Sequence, residues 1–273
     1  MDFRQRKMAK SLISNFNIKK IKKNYKDAIP FDHVVIDNFW KKEVAKNLER
    51  EINNFNNDKK YDVNVYDNAI EKKITCNDYD KFPSTVYTAF SYLNSLTFLN
   101  VIKKITSIKK LIIDVGLHGG GLHIHPNGGK LNIHKDYSIH PKLKKERRLN
   151  LIIYMTKNWN EKWGGDLELW SHDKIRNKPL NLVKKIKNKF NRAILFDTSQ
   201  NSWHGLPSPI KLPRGKKRQS MAVYYLSEPR PKSDNRQRAL FAPTKKQEKN
   251  KKILELIKKR SNLKTSTEVY RSK

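Results

Sequence analysis

Gly129-Lys130-Leu131-Asn132-Ile133-His134-Lys135-Asp136-Tyr137 is the stretch that decides the fold, because it alternates with the period of an extended strand. Residues i and i+2 of a strand face one side. His134 and Asp136 therefore aim an imidazole and a carboxylate at one point, and Gly128-Gly129 supply a tight turn just before them. A lone His-x-Asp pair is weak, since surface strands carry such pairs by chance. Its weight comes from what the chain brings later: Trp203-His204-Gly205 and then Arg218-Gln219-Ser220. A third ligand arriving from another strand would place two neutral nitrogens and one oxygen on one face of a metal, with the other positions open.

Outward from that stretch the texture is uniform. From Leu111 on, short extended runs punctuated by glycine follow one another: Leu111–Ile113, Leu122–His125, Lys130–Tyr137, Leu149–Met155, Asp166–Trp170, Ala193–Phe196 and Met221–Leu226. Short strands with turn signals between them predict a β-sandwich or barrel. Upstream, Val34–Phe39 reads as a short strand running into a helix centred on Lys41–Ile52, where Val44, Leu48 and Ile52 recur every fourth residue. A strand pair near Tyr61–Thr75 and a helix from Pro83 carrying Val86, Phe90 and Leu93 come next; after a break, Phe98, Val101 and Ile102 continue it. The expected organisation is a basic N-terminal arm (1–28), one domain over 29–227 with helical support at 29–110 and a β core at 111–227, and a basic C-terminal tail (228–273). Within that tail Ile253, Leu254 and Ile257 could line one face of a helix.

The chain of 273 residues carries a net charge of +33, enough to raise nucleic acid as a partner. Only 14 of the 59 cations are Arg, however, and Asn and Ile are also abundant. A Lys-Asn-Ile skew matches coding bias better than a surface built for phosphate or base recognition, which uses Arg forks. Cys76 is the single cysteine, so an internal disulfide and a cysteine-rich zinc module are excluded and a reducing, intracellular (cytoplasmic) location is the expectation. No run reaches the ~18 apolar residues of a membrane span, so a soluble protein is expected.

Taken in order, Gly119-Gly120-Gly121-Leu122-His123, Gly129–Tyr137, Arg147-Arg148-Leu149-Asn150-Leu151-Ile152-Ile153-Tyr154, Trp159 with Gly164–Trp170, Asn191–Phe196 and Trp203-His204-Gly205 resemble the prolyl-4-hydroxylase-like Fe(II)/2-oxoglutarate oxygenases. The likeness spans about 112–227 and runs more faintly back to Phe31. It implies a mainly β fold with supporting helices, a double-stranded β-helix or jelly roll. It also implies Fe(II) held by His134, Asp136 and His204, with 2-oxoglutarate and O2 as co-substrates and ascorbate as a candidate reductant. Arg218 matches the residue that grips the far carboxylate of 2-oxoglutarate, a task suited to a guanidinium fork. Ser220 beside it, Tyr154 and Asn150 are the further candidate contacts. The implied reaction is hydroxylation of an unactivated C–H bond with release of succinate and CO2, on a protein or peptidyl residue such as proline.

Rival readings are weaker. His118, His123 and His125 form another histidine group, but a cupin would follow such a pair closely with a Glu ligand, and the next is Glu146, beyond the His134 strand. Nucleic-acid dealkylases of the AlkB type carry a second Arg six residues after the co-substrate Arg, where this chain has Tyr224. A small-metabolite or free amino acid substrate, and a non-catalytic basic jelly roll that binds polyanions, stay open. Arg147 and Arg148 read as a solvated or ion-paired start to a strand, and the oligomeric state is not legible.

Overall fold

The structure is a computed structural model that describes residues 11–57, 64–198, 200–266 and 268–271. Expectations for residues 1–10 and for the Tyr61 end of the strand pair lie outside the described residues. In chain order the elements are α1 (Ile18–Lys26), β1 (His33–Ile36), α2 (Lys42–Asn57), β2 (Asn64–Asp67), β3 (Glu71–Cys76), α3 (Ser84–Leu93) and α4 (Leu96–Thr106). The strands β4 (Ile112–Ile113), β5 (Gly121–His125), β6 (Lys130–Lys135), β7 (Glu146–Tyr154), β8 (Leu167–Asp173) and β9 (Lys178–Ile186) follow. After them come β10 (Ala193–Asp197), β11 (Trp203–Leu206), β12 (Arg218–Ser227), β13 (Leu240–Phe241), α5 (Lys251–Ser261) and α6 (Glu268–Arg271).

Antiparallel pairing runs β1-β10-β7-β12-β5-β3-β6-β11-β8-β9, so strands distant in sequence are neighbours in space. The turning point is β3, whose Ile74–Cys76 pair with β5 and whose Glu71-Lys72 pair with β6. There the sheet curls over itself into a jelly roll. Parity then divides the residues. Leu149, Leu151 and Ile153 of β7, Met221, Val223 and Tyr225 of β12, and Ala193 and Leu195 of β10 share one buried cluster with the apolar stripes of α2, α3 and α4. Their sequence neighbours on the same strands face the interior of the roll.

The helices are positioned by polar groups as well as by their stripes. Ser95 caps α4 by accepting from Phe98 N, and the Glu51 carboxylate of α2 accepts from Thr85 N (2.8 Å) and Val86 N (3.1 Å) at the start of α3. An anion there satisfies amides that have no intrahelical partner and complements the helix dipole. Inside the roll, Tyr154, Leu167, Leu169, Ile186, Ile194 and Phe196 pack with Phe31 and fill one end. The other end stays open.

The edge strand β9 escaped the sequence reading. β9 pairs with β8 at the sheet edge, and its Pro179 and exposed lysines hide the alternation of a half-buried strand. Residues 228–273 also hold more contacts with the barrel than their composition indicates. β13 pairs with β6, Ala242 N donates to Ile133 O (2.8 Å), and Gln247 bridges Asn132 (2.6 Å) and Ala69 O (2.8 Å). Among the described residues no helix is long and apolar enough to cross a membrane.

Candidate metal and co-substrate site

His134 of β6 and His204 of β11 face each other in antiparallel register, with ring centroids 4.4 Å apart. Gly205 makes this approach possible: a Cβ there would lie 2.8 Å from the carbonyl oxygens of Leu131 and Asn132. Asp136, just past the end of β6, puts Oδ1 3.7 Å from His134 Nε2 and Oδ2 3.7 Å from His204 Nε2. The three ligand atoms lie within 4.8 Å of one another, and all three residues are buried. Among the described residues no other group of three His, Cys, Asp or Glu side chains comes together this way.

Each imidazole is oriented by its own strand. His134 Nδ1 lies 3.0 Å from Asn132 O, and His204 Nδ1 lies 2.9 Å from Ser202 O. A carbonyl only accepts, so Nδ1 carries the proton and Nε2 keeps its lone pair toward Asp136. Burial, aided by the neighbouring His134, pushes His204 down to about 4 and keeps it neutral near pH 7. Burial alone would raise the Asp136 carboxyl. The Arg147 guanidinium outweighs it and, with the imidazoles beside it, holds the carboxyl well below the usual carboxylate range. Two imidazole nitrogens and an ionised oxygen on one face suit Fe(II).

The guanidinium responsible was not expected at the site. Along β7 and β12 the register slips between Tyr225, opposite Leu149, and Leu226, opposite Arg147. Arg148 is the extra residue of this bulge. It turns away to pair with Asp197, while Arg147 turns inward, 2% exposed, with Nη1 3.2 Å from Asp136 Oδ1. Its plane lies between the rings of Tyr137 and Tyr224, at 3.4 and 3.3 Å from their centroids, and Nη2 donates to His118 O (2.8 Å). Two adjacent arginines in an otherwise alternating strand were the available signal, because a regular strand would send them to opposite faces.

Arg218 begins β12 at the inner side of the same cavity. It is 3% exposed, its Nε donates to Gly165 O (2.9 Å), and its guanidinium lies 4.7 Å from the centroid of the Tyr154 ring. Among the described residues no carboxylate forms an ion pair with it. A buried cation without an anion is costly, so this position is prepared for an anionic ligand. In register beside it stand Ser220 on β12 and His125 and His123 on β5. Both ring nitrogens of His125 are buried without hydrogen-bond partners, a second sign that a polar ligand completes this end. Burial and the neighbouring Arg218 hold His125 well below the usual histidine range.

The structure therefore brings His134, Asp136, His204, Arg218, Ser220 and Asn150 to one cavity of about 320 Å³. Tyr154 packs behind Arg218. Asn150 reaches Asp136, with Nδ2 3.3 Å from Oδ2. His123 and His125 belong to the cavity wall rather than to a separate metal cluster. The C-terminal segment also enters the site: Phe241 stacks on His134 (5.2 Å), and Arg236 Nη1 donates to Asp136 O (2.7 Å).

Residues 120–226 match the family model of the 2OG-Fe(II) oxygenase superfamily. That segment, which holds His134, Asp136, His204 and Arg218, is similar to the Fe(II)- and 2-oxoglutarate-dependent oxygenases. Among solved structures, a Trichoplax adhaerens prolyl hydroxylase in complex with a hypoxia inducible factor oxygen degradation domain peptide fragment matches with a TM-score of 0.54 and 18% identity. That match covers 78% of this chain and 94% of the other. A Pseudomonas putida prolyl-4-hydroxylase matches with a TM-score of 0.51 and 12% identity, covering 77% of this chain and all (100%) of the other. The non-heme alpha ketoglutarate dependent epimerase SnoN from nogalamycin biosynthesis reaches a TM-score of 0.55 at 8% identity, covering 84% of each chain. At these identities the likeness is one of fold. No curated protein matches the chain by sequence.

Proposed function

We propose that this chain is an Fe(II)- and 2-oxoglutarate-dependent oxygenase that hydroxylates an unactivated C–H bond, with His134, Asp136 and His204 as its iron ligands and Arg218 as the anchor for the far carboxylate of 2-oxoglutarate. One observation carries the reading: a two-imidazole, one-carboxylate face opens into the same cavity as a buried guanidinium that has no carboxylate partner among the described residues. Ser220 and His125 stand where they can hydrogen-bond a carboxylate held by Arg218, and Tyr154 backs the guanidinium with its ring. Fe(II) with 2-oxoglutarate and O2 supplies the oxidant, and the co-substrate leaves as succinate and CO2. The chain's own contribution is geometry. β6 and β11 fix the imidazoles, Arg147 keeps Asp136 ionised, and Phe31, Leu167 and Phe196 seal one end of the roll against water.

The substrate we favour is a protein or peptidyl residue such as proline, a reading supported by the likeness of fold to prolyl hydroxylases. A free amino acid or other small metabolite is the second reading, favoured by a cavity of about 320 Å³ that must hold the co-substrate as well. The deciding assay uses protein purified without oxygen and supplied with Fe(II), 2-oxoglutarate and ascorbate. Succinate release that depends on oxygen and disappears in His134→Ala is the expected result; iron-loaded protein that neither binds nor consumes 2-oxoglutarate with any candidate substrate would overturn it. Stimulation by peptides against free amino acids then ranks the two substrate classes.

A further inference from the structure

Lysine dominates the cations of this chain, yet arginine dominates its cavity. Four of the chain's 14 arginines line it, namely Arg147, Arg218, Arg238 and Arg260, against one of its 45 lysines, Lys73. A compositional skew would have produced the reverse ratio. Arg147 pairs with Asp136 and Arg218 faces the co-substrate end, which leaves Arg238 and Arg260, both from the C-terminal segment, without a task in the reaction so far. Asp136 is the one carboxylate among the described lining residues.

The outer cations are held in place. Arg260 Nε lies 3.0 Å from Glu71 Oε1, and Lys73 Nζ lies 3.4 Å from Glu71 Oε2, with the Glu71 side chain fully buried behind both (0% exposed). One carboxylate shared by two cations fixes their heads. Arg260 also stands over the Phe241 ring, 5.6 Å from its centroid, and that ring is the one stacked on His134. A guanidinium is therefore set one aromatic layer above a proposed metal ligand. Guanidinium forks bind carboxylates and phosphates through paired hydrogen bonds, which explains the choice of Arg over the abundant Lys.

We infer that the substrate carries an anionic group, a carboxylate or a phosphate ester, which Arg238 and Arg260 receive at the mouth of the cavity while the reacting carbon is presented to the metal face. This rests on the oxygenase reading above and names the chemistry of its substrate. The test uses the full chain loaded with Mn(II) and 2-oxoglutarate at about 0.15 M salt, where bulk attraction to a basic surface is largely screened. Calorimetric titration compares capped proline tripeptides that differ at one position: Glu, Gln, Lys or phosphoserine.

The Glu or phosphoserine peptide should bind at least about tenfold more tightly than the Gln peptide, the loss of one charge-assisted pair, and the Lys peptide more weakly still. Arg238→Glu should invert that order and Arg238→Lys should keep it. Lys252→Glu on α5, outside the cavity, controls for net charge and should leave the order intact. Comparing Glu with phosphoserine tells carboxylate from phosphate. Equal affinity for all four peptides, including none for any, or an order that Arg238→Glu does not change, overturns the inference. Binding of 2-oxoglutarate is measured first in the same cell, so failure of the oxygenase reading is seen separately.

Discussion

Asp136 is a carboxylate made ready for a cation before any cation arrives. Its burial would favour the protonated form, and the buried Arg147 guanidinium at 3.2 Å outweighs that. The pair fails if one member is removed, because the other is left as an uncompensated buried charge. Arg147→Ala should therefore destabilise the metal-free protein by about 3–5 kcal/mol in urea unfolding. Adding Mn(II) should restore a larger share of stability to the variant than to wild type, since the metal replaces the missing positive charge. Equal gains in both proteins would remove Arg147 from this role. Arg218 makes a different demand. Arg218→Lys keeps the charge but loses the planar fork, and should weaken 2-oxoglutarate binding on the order of tenfold; Arg218→Met should lose it. Calorimetry on the Mn(II)-loaded proteins reads both, and a Lys variant with unaltered affinity would mean that Arg218 acts as a point charge.

At the scale of elements, β6 is supported in two halves. β3 pairs with its first residues through Glu71 and Lys72, and β13 pairs with His134 and Lys135 where β3 has left. Gln247 ties the second support down, accepting from Asn132 Nδ2 (2.6 Å) and Thr244 N (2.9 Å). Gln247→Ala should cost about 1–3 kcal/mol, since it leaves buried amide groups without partners. Because the Asn132 carbonyl orients His134, metal affinity should also fall, roughly 10- to 100-fold. Unchanged Mn(II) affinity in a folded variant would separate β13 from the site. These supports also mark where sequence reading stops. His134 and Asp136 could be read as one face because strand parity is local, and a β-sandwich or barrel because glycine-bounded runs recur from Leu111, while the jelly roll itself followed from the resemblance to the prolyl-4-hydroxylase-like oxygenases. Arg147 could not, since a bulge reverses parity and depends on the register with β12. β13 was hidden because its two residues, Leu240 and Phe241, sit in a polar, basic stretch whose attachment runs through Arg236, Asn132 and Gln247, hydrogen bonds that leave no periodicity.

For the whole molecule, the arithmetic of buried imidazoles sets the response to pH. His33 and His125 are 1% and 2% exposed, and burial holds both below the ordinary histidine value, His125 well below it. The unfolded chain would protonate them near pH 6.5, whereas the folded one resists to lower pH. Between those values the unfolded state binds more protons, so stability falls as the pH drops. Each such group contributes a slope of about 1.4 kcal/mol per pH unit while the difference lasts. Asp136 adds nothing in this window. Its folded value is depressed, so its contribution is complete above the unfolded carboxyl value near 4 and is lost only below that. The net charge of +33 grows further as surface carboxylates begin to protonate toward pH 4, and that self-repulsion adds to the loss. Metal-free protein should therefore show a level urea midpoint from about pH 7 to 8 and a steady decline from about 6.5 toward 4. Added salt should recover the part due to repulsion between surface charges and leave the part due to buried imidazoles. A midpoint that holds constant from about pH 7 to 5, or a decline that salt abolishes entirely, would show that these histidines do not carry the pH dependence.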